Sequence, residues 1–253
     1  VNPSPAQLDT HLTAYSKAFP HFEENRIVHE AYGLRVAAQI AERGARQILS
    51  LGIGHMEVAR PIIELLRSAK IDRYVVVDAA PAIVAKFRES IAPVPAGLEL
   101  VEAWFEDYAS PVQFDLIEAG FILEHVSDPG LVLRRMRSLL AAGGRMCVAV
   151  PNARSLHRVV GHEAGLLRDM YALSDADRAL GHQRYFDVDR LTALAAQCGW
   201  RVESKAGLLL KPFTSGQMEQ LQLPPEVWRA LQAVAAPYPE ISNSFCMELA
   251  ACD

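Results

Sequence analysis

Arg46-Gln-Ile-Leu-Ser-Leu-Gly-Ile-Gly-His-Met-Glu57 is the stretch whose reading decides the fold. Ile48 to Leu51 has the character of a buried strand, broken at Gly52-Ile-Gly54 and followed by a helical pattern from about His55. Two glycines at a strand-to-helix turn let the backbone lie close to a ligand. Neither carries a Cβ, and either adopts φ > 0 at little cost. The first N–H groups of the following helix point at the same spot and favour electron-rich atoms. Downstream, Tyr74-Val-Val-Val-Asp78 reads as a second strand that closes on an acid. In a βαβ unit this spacing sets a carboxylate at the end of the neighbouring strand, within reach of a ribose diol.

The rest of the chain continues the alternation. Helical patterns cover Pro5–Ala31, Leu34–Arg43, Glu57–Lys70, Pro81–Phe87, Asp128–Leu140, Val188–Cys198 and Pro224–Ala235. Strand patterns cover Leu98–Val101, Phe114–Ala119, Arg145–Val150, Trp200–Leu210 and Ser244–Ala251. Gly143-Gly144 reads as the turn into the fifth strand, and Gly199 as a helix C-cap. Strands alternating with helices predict an α/β fold: a mostly parallel sheet with helices on both faces. A chain of 253 residues suits one such domain, 1–253. Residues 152–186 interrupt the rhythm with Ser155, His157, Arg158, His162, Arg168, Tyr171, His182, Arg184 and Tyr185.

Twenty-five basic against thirty acidic side chains give a net charge of −5, with no long basic cluster. That argues against nucleic acid as a partner. No apolar run approaches the ~20 residues of a membrane span, and no leader-like segment is read at the start. Cys147, Cys198, Cys246 and Cys252 form no C-x-x-C pair. They read as thiols in a reducing, cytoplasmic setting, and no metal site is expected from spacing. The oligomeric state is not legible.

The glycine-to-acid spacing is shared by nicotinamide-dependent dehydrogenases and S-adenosylmethionine-dependent methyltransferases. Dehydrogenases usually carry a third glycine, and Glu57 stands at that position. Phe114-Asp-Leu-Ile-Glu-Ala-Gly-Phe-Ile-Leu-Glu-His125 and Leu140-Ala-Ala-Gly-Gly-Arg-Met146 closely resemble the class I methyltransferase pattern. Over about residues 45–205 the chain resembles that family, in its bacterial small-molecule form. The resemblance implies a seven-stranded sheet ending in a reversed hairpin. It also implies S-adenosyl-L-methionine as cofactor, and methyl transfer to O or N of a small molecule in natural-product or secondary metabolism. A non-enzymatic cofactor-binding protein and a nicotinamide-dependent oxidoreductase are the competing readings.

Carried over by position, Gly52 and Gly54 line the methionine and ribose part of the cofactor, and Asp78 holds both ribose hydroxyls. Ala79 packs beside the adenine, Phe105 stacks on it or packs at its edge, and Glu106 or Asp107 accepts from its amino group. Glu118 faces the region of methyl transfer. Residues 1–33 correspond to an N-terminal helical lid, with Tyr15 nearest the cofactor, or serve only to pin helices to the core. His21 and His29 are expected to face solvent. Two positions depart from the pattern: Ser50 replaces an acid two before the first glycine, and Met56 a small residue. The 152–186 insertion follows the fifth strand, at the ligand-binding edge of such sheets. It is either substrate-facing or an ordinary helical cap. His125, His182 and Tyr185 are the candidates to position or deprotonate the acceptor, with packing as the alternative role for His125.

If Asp78 holds the ribose, Asp78→Ala removes two charge-assisted hydrogen bonds. S-adenosylmethionine binding should weaken by about 2–4 kcal/mol, roughly thirty- to a thousandfold in affinity. Calorimetric titration checks this, and an unchanged dissociation constant would mean the second strand is misassigned.

Overall fold

The computed structural model describes residues 22–252. Seven strands form one sheet: β1 (Gln47–Leu51), β2 (Arg73–Asp78), β3 (Leu98–Glu102), β4 (Phe114–Gly120), β5 (Leu140–Pro151), β6 (Trp200–Gly207) and β7 (Ser244–Ala251). Their order is β3-β2-β1-β4-β5-β7-β6. β7 runs antiparallel to both of its neighbours, and the other pairs are parallel. This is the mostly parallel sheet expected from the strand pattern, with the late reversed hairpin that the family resemblance implied at its edge. The central strands are apolar on both sides because helices cover both faces: Ile48, Leu49, Val75, Val77, Leu116 and Ile117 are all fully enclosed.

One face packs under α1 (Phe22–Arg43), α2 (Met56–Arg67) and α3 (Pro81–Ser90) through Val36, Ile40, Ile62, Ile63, Val84 and Phe87. The other packs under α4 (Pro129–Leu139) and α7 (Val188–Gln197) through Val132, Leu133, Met136 and Leu191. Trp200 is buried in that second layer and donates Nε1–H to Leu133 O at 3.0 Å. Local chemistry starts these helices where the sequence allows: Asp128 caps α4 by accepting from Leu131 N at 2.9 Å, followed by Pro129. Asp187 caps α7 in the same way, accepting from Arg190 N.

The insertion holds α5 (Leu156–Glu163) and α6 (Asp175–Ala179), the latter begun by a Ser174–Asp177 capping box. It leaves and rejoins the sheet at one place. Asn152 and Phe186 form an isolated bridge, and Ala153 N donates to Phe186 O at 2.7 Å. α8 (Ser215–Gln220) and α9 (Pro225–Ala235) lie between β6 and β7. Among the described residues no helix is long and apolar enough to cross a membrane.

Several boundaries differ from the sequence reading. The helical patterns before and after Gly33 merge into the single helix α1. Gly33 is there for packing, since a Cβ on it would meet Glu57 O at 2.3 Å where α2 crosses. β5 begins at Leu140, paired with Phe114, and its register then jumps to Leu116 opposite Arg145. The two glycines read as a turn are absorbed in that irregularity, with Gly143 at φ 76°. β6 ends at Gly207, three residues short of the expected end at Leu210. α8 was not foreseen; its six residues are too few to show a period, although Thr214 and Gln217 form a capping box.

Residues 1–21, including Tyr15 and His21, lie outside the described residues. The part of the expected lid that is described, Phe22–Gly33, opens α1 and buries Ile27, Val28 and Tyr32 against the core.

Gly33→Ala should overpack the α1–α2 crossing by about 1–3 kcal/mol. A thermal melt should show Tm lower by about 3–10 °C. An unchanged Tm would mean the crossing is looser than its backbone contact requires.

Candidate active site

The strand order reverses between β1 and β4, so the connections leaving their carboxyl ends diverge and open a crevice. A cavity of about 1340 Å³ occupies it. At one end lie Gly52, Gly54, Asp78, Ala79, Phe105 and Glu106. Gly52 and Gly54 have φ of 78° and 53°, the left-handed conformation that lets β1 turn sharply into α2. A Cβ on Gly52 would meet Ile122 at 3.2 Å, whereas one on Gly54 would enter open space. Gly52 N donates to Val77 O at 2.8 Å, which ties the turn to β2.

The Asp78 carboxylate organises the same turn. Its Oδ2 accepts from Ile53 N at 3.0 Å and its Oδ1 from Ala80 N at 2.9 Å. An ionised carboxylate has about four acceptor sites in all, more than these two bonds use. Glu106 adds a buried Oε2 with no hydrogen-bond partner. Unpaired buried acceptors are costly, and a ligand amino group would satisfy this one. An open glycine turn, the Asp78 carboxylate and the unpaired Glu106 oxygen, lining one cavity with Phe105, fit a ribose, an adenine and its amino group.

Glu118 does not line this cavity, contrary to its expected position facing the reaction. It is 3 % exposed and pairs in register with Ser50 of β1. Its Oε1 accepts from Gly120 N at 2.6 Å. Burial pushes its carboxyl up to about 7, partly offset by hydrogen bonds with Ser50, the Gly120 N–H and Tyr32. The acid missing at position 50 thus has a counterpart on the adjacent strand, directly opposite it.

The other end of the cavity is built by the turn after β4 and by the insertion. Phe121 takes φ 59°, and His125 N donates to Ile122 O at 3.0 Å. Gln183 and Arg184 clamp this turn. Gln183 N donates to Glu124 O at 2.8 Å and its Nε2 to His125 O. The Arg184 guanidinium donates to Leu123 O and Ser127 O, both at 3.1 Å, and to Val126 O. The clamp brings His182 edge-on to His125, ring centroids 4.7 Å apart.

Behind His182 stands Asp177, whose Oδ1 is 3.4 Å from His182 Nδ1 and accepts from Tyr185 OH at 3.0 Å. Burial alone would raise the Asp177 carboxyl, but the nearby His182 ring and hydrogen bonds from Ser174 hold it well below the usual range. Burial and the nearby Asp177 push the Tyr185 phenol far above its ordinary value, so it remains a hydrogen-bond donor. Arg158 lies over the Tyr185 ring at 4.4 Å. Glu124, 1 % exposed, has neither carboxylate oxygen hydrogen-bonded, and burial raises its carboxyl to about 7.

His125, after β4, and the His182–Tyr185 segment of the insertion therefore share one wall. Other lining residues escaped that reasoning. His29 does not face solvent: its ring packs 4.0 Å from His55 and 4.4 Å from Phe121. Burial, then the charge of His55, pulls its pKa well down. Glu24 of α1, 7 % exposed, meets Lys211 Nζ at 2.6 Å and Asn243 Nδ2 at 3.2 Å. No motif flags these residues, because they converge from both ends of the chain.

A Rossmann-like sheet with a glycine turn, a β2 carboxylate and a second chamber at its carboxyl edge defines a nucleoside-cofactor transferase of the class I methyltransferase fold. A family model described as a methyltransferase domain matches residues 23–205, and the chain belongs to that family. Among curated proteins it is 27 % identical over 139 residues to the ubiquinone biosynthesis O-methyltransferase of Pseudoalteromonas translucida, strain TAC 125. That match covers 53 % of this chain and 56 % of the relative, so the chain spans little more than half of it.

Among solved structures, magnesium protoporphyrin IX methyltransferase of Synechocystis PCC 6803, with bound S-adenosylhomocysteine, superposes with TM-score 0.63 at 12 % identity. The alignment covers 98 % of this chain and 95 % of that one. The N-methyltransferase NodS of Bradyrhizobium japonicum WM9, also with S-adenosylhomocysteine, gives TM-score 0.59 at 9 % identity over all of both chains. At these identities the superpositions speak to the fold.

The Glu118 carboxyl makes stability depend on pH. Its pKa rises from 4.5 to about 7 on folding, so at pH below 4.5 it is protonated in both states and costs nothing. Between those values the unfolded chain releases the proton first, and stability falls as pH rises. Above pH 7 the full cost is present, up to about 3 kcal/mol. Glu118→Gln should therefore gain Tm over the parent as pH goes from 5 to 8, by up to about 8 °C. A pH-independent difference between the two proteins would contradict this.

Proposed function

We propose that the protein methylates an oxygen or nitrogen of a small molecule held between the turn after β4 and the 152–186 insertion. One observation carries this. The cavity runs on past the glycine turn and Asp78 to His125, His182, Tyr185 and Lys211. Its volume of about 1340 Å³ exceeds the roughly 300–1,000 Å³ of a pocket for one drug-sized ligand. It suits two ligands in contact.

In this reading Gly52, Gly54, Asp78, Ala79, Phe105 and Glu106 hold the cofactor. S-adenosylmethionine supplies a methyl carbon already activated on a sulfonium. The protein has to align the acceptor atom with that carbon, exclude water, and draw off the acceptor's proton where it carries one. His125 and His182 stand at the chamber wall for this, and Asp177 and Tyr185 position His182. Leu166, Leu167 and Val28 give the chamber apolar surface, so the acceptor combines an apolar body with one reacting heteroatom. Relatives that include an O-methyltransferase and an N-methyltransferase support either heteroatom. Glu118 is assigned a structural part behind the cofactor end rather than contact with it.

We place the reaction in secondary metabolism and in the cytoplasm, in keeping with the small-molecule relatives and the buried free thiols of Cys147, Cys198 and Cys246. We treat 1–253 as one domain, with the insertion as the acceptor's half of the site and Glu24, Val28 and His29 of α1 adding to its lining. The net charge of −5 supports an acceptor other than nucleic acid.

The test is transfer of labelled methyl from the cofactor to a metabolite extract, then single-turnover kinetics with the labelled product's precursor. His182→Ala should slow transfer by about 10²–10⁴, and Tyr185→Phe by less, with cofactor affinity little changed in both. Turnover unchanged in both variants, on folded protein, would take the insertion out of the active site.

A further inference from the structure

We propose that Glu124, His125 and His182 bind a divalent transition-metal cation at the acceptor end of the cavity. One carboxylate oxygen of Glu124 and one ring nitrogen of each histidine lie within 4.8 Å of one another. All three residues line the cavity. A tetrahedral ion with metal–ligand bonds near 2.0–2.1 Å sets its ligand atoms ~3.3 Å apart. Small side-chain rotations of about 1.5 Å close that gap.

An independent observation points to a ligand. Glu124 is 1 % exposed, and both its carboxylate oxygens are buried without a hydrogen-bond partner. A buried carboxylate left this way is costly, and carboxylates so placed are paired or coordinate metals. Arg184 is a cation close by, but its guanidinium is spent on the carbonyls of Leu123, Val126 and Ser127. Those bonds shape the turn and leave the Glu124 oxygens to the cavity.

The surroundings have the form of a metal site. Metal-bound histidines usually turn their other nitrogen to a carboxylate, which fixes the ring and raises its basicity. Asp177 Oδ1 stands 3.4 Å from His182 Nδ1 and accepts from Tyr185 OH, while Oδ2 accepts from Ser174 N and Oγ. Two imidazoles and one carboxylate suit zinc, iron, nickel or cobalt rather than magnesium or calcium. Three protein ligands leave a position open toward the cavity, as in catalytic rather than structural sites.

This inference rests on the acceptor reading above and refines it. An ion here takes an oxygen of the acceptor in its open position and lowers that oxygen's pKa. The two histidines then serve as its ligands instead of as bases, the proton leaves to solvent before transfer, and the preferred acceptor is a hydroxyl on an apolar body.

The experiment uses the full chain stripped with a chelator and then titrated with Zn²⁺ alone by calorimetry and with Co²⁺ alone by visible absorption. One equivalent should bind at micromolar concentration or below, with cobalt giving d–d bands of low coordination number. Glu124→Gln and His182→Ala should each weaken binding at least a hundredfold, and Asp177→Asn by about 10–100-fold. Tm and S-adenosylmethionine affinity of each metal-free variant show that it is folded. No saturable binding, or equal binding by the parent and Glu124→Gln, overturns the site. Labelled methyl transfer separates the two proposals. Transfer that persists in chelator, without metal binding, removes the ion and keeps the methyltransferase reading. Metal binding at these residues without effect on transfer removes the acceptor role and leaves a bound ion.

Discussion

The bonds from Gln183 and Arg184 to the backbone of residues 123–127 are what make one site out of two parts of the chain. A turn leaving a parallel strand at a switch point has few partners of its own, because the neighbouring connections diverge there. Its carbonyls would otherwise face the cavity unsatisfied. The guanidinium is suited to this duty: its donors lie in a rigid plane and it stays charged. By collecting the Leu123, Val126 and Ser127 carbonyls it fixes the turn and docks the insertion in the same act. The position of His182 against His125, the orientation of Glu124 and the depth of the acceptor chamber all follow from that docking.

The cofactor end shows a different economy. Asp78 sits where the βαβ geometry demands, yet its carboxylate also holds Ile53 N and Ala80 N. The residue expected to recognise the ribose is therefore also the residue that shapes the loop around it. Glu118 illustrates how a sheet tolerates an exchange of position. Ser50 and Glu118 are in register on adjacent parallel strands, whose side chains on one face stand close together. A carboxylate moved one strand across keeps nearly the same depth, at the cost of full burial and a raised pKa.

Much of this was legible from local pattern. Ile48–Leu51, Tyr74–Asp78 and Ser244–Ala251 read as strands because apolar runs bounded by Gly, Asp or Ser leave few alternatives. The helical patterns at Asp128–Leu140 and Val188–Cys198 were read from the sequence, and the structure starts both helices with an aspartate cap, Asp128 for α4 and Asp187 for α7. Gly33 was misread for a physical reason. A glycine in a helical pattern looks like a break until the crossing helix that requires its missing Cβ is known. His29 was misread likewise: nothing in its neighbours along α1 tells that His55 and Phe121 will stack around it.

Periodicity, turn chemistry and the spacing from glycine to acid were enough to determine the α/β class, the mostly parallel sheet, and the placement of Gly52, Gly54 and Asp78, while the reversed hairpin was implied only by the family resemblance. These are properties of short segments, and short segments carry their own physics. The shape of the acceptor chamber, the grouping of Glu124, His125 and His182, and the Glu24–Lys211 pair were decided by tertiary structure alone. Each joins side chains from distant segments, and which of them meet depends on how connections of irregular length fold back over the sheet. That choice is made by hydrogen bonds and burial between segments, interactions that leave no period in the sequence.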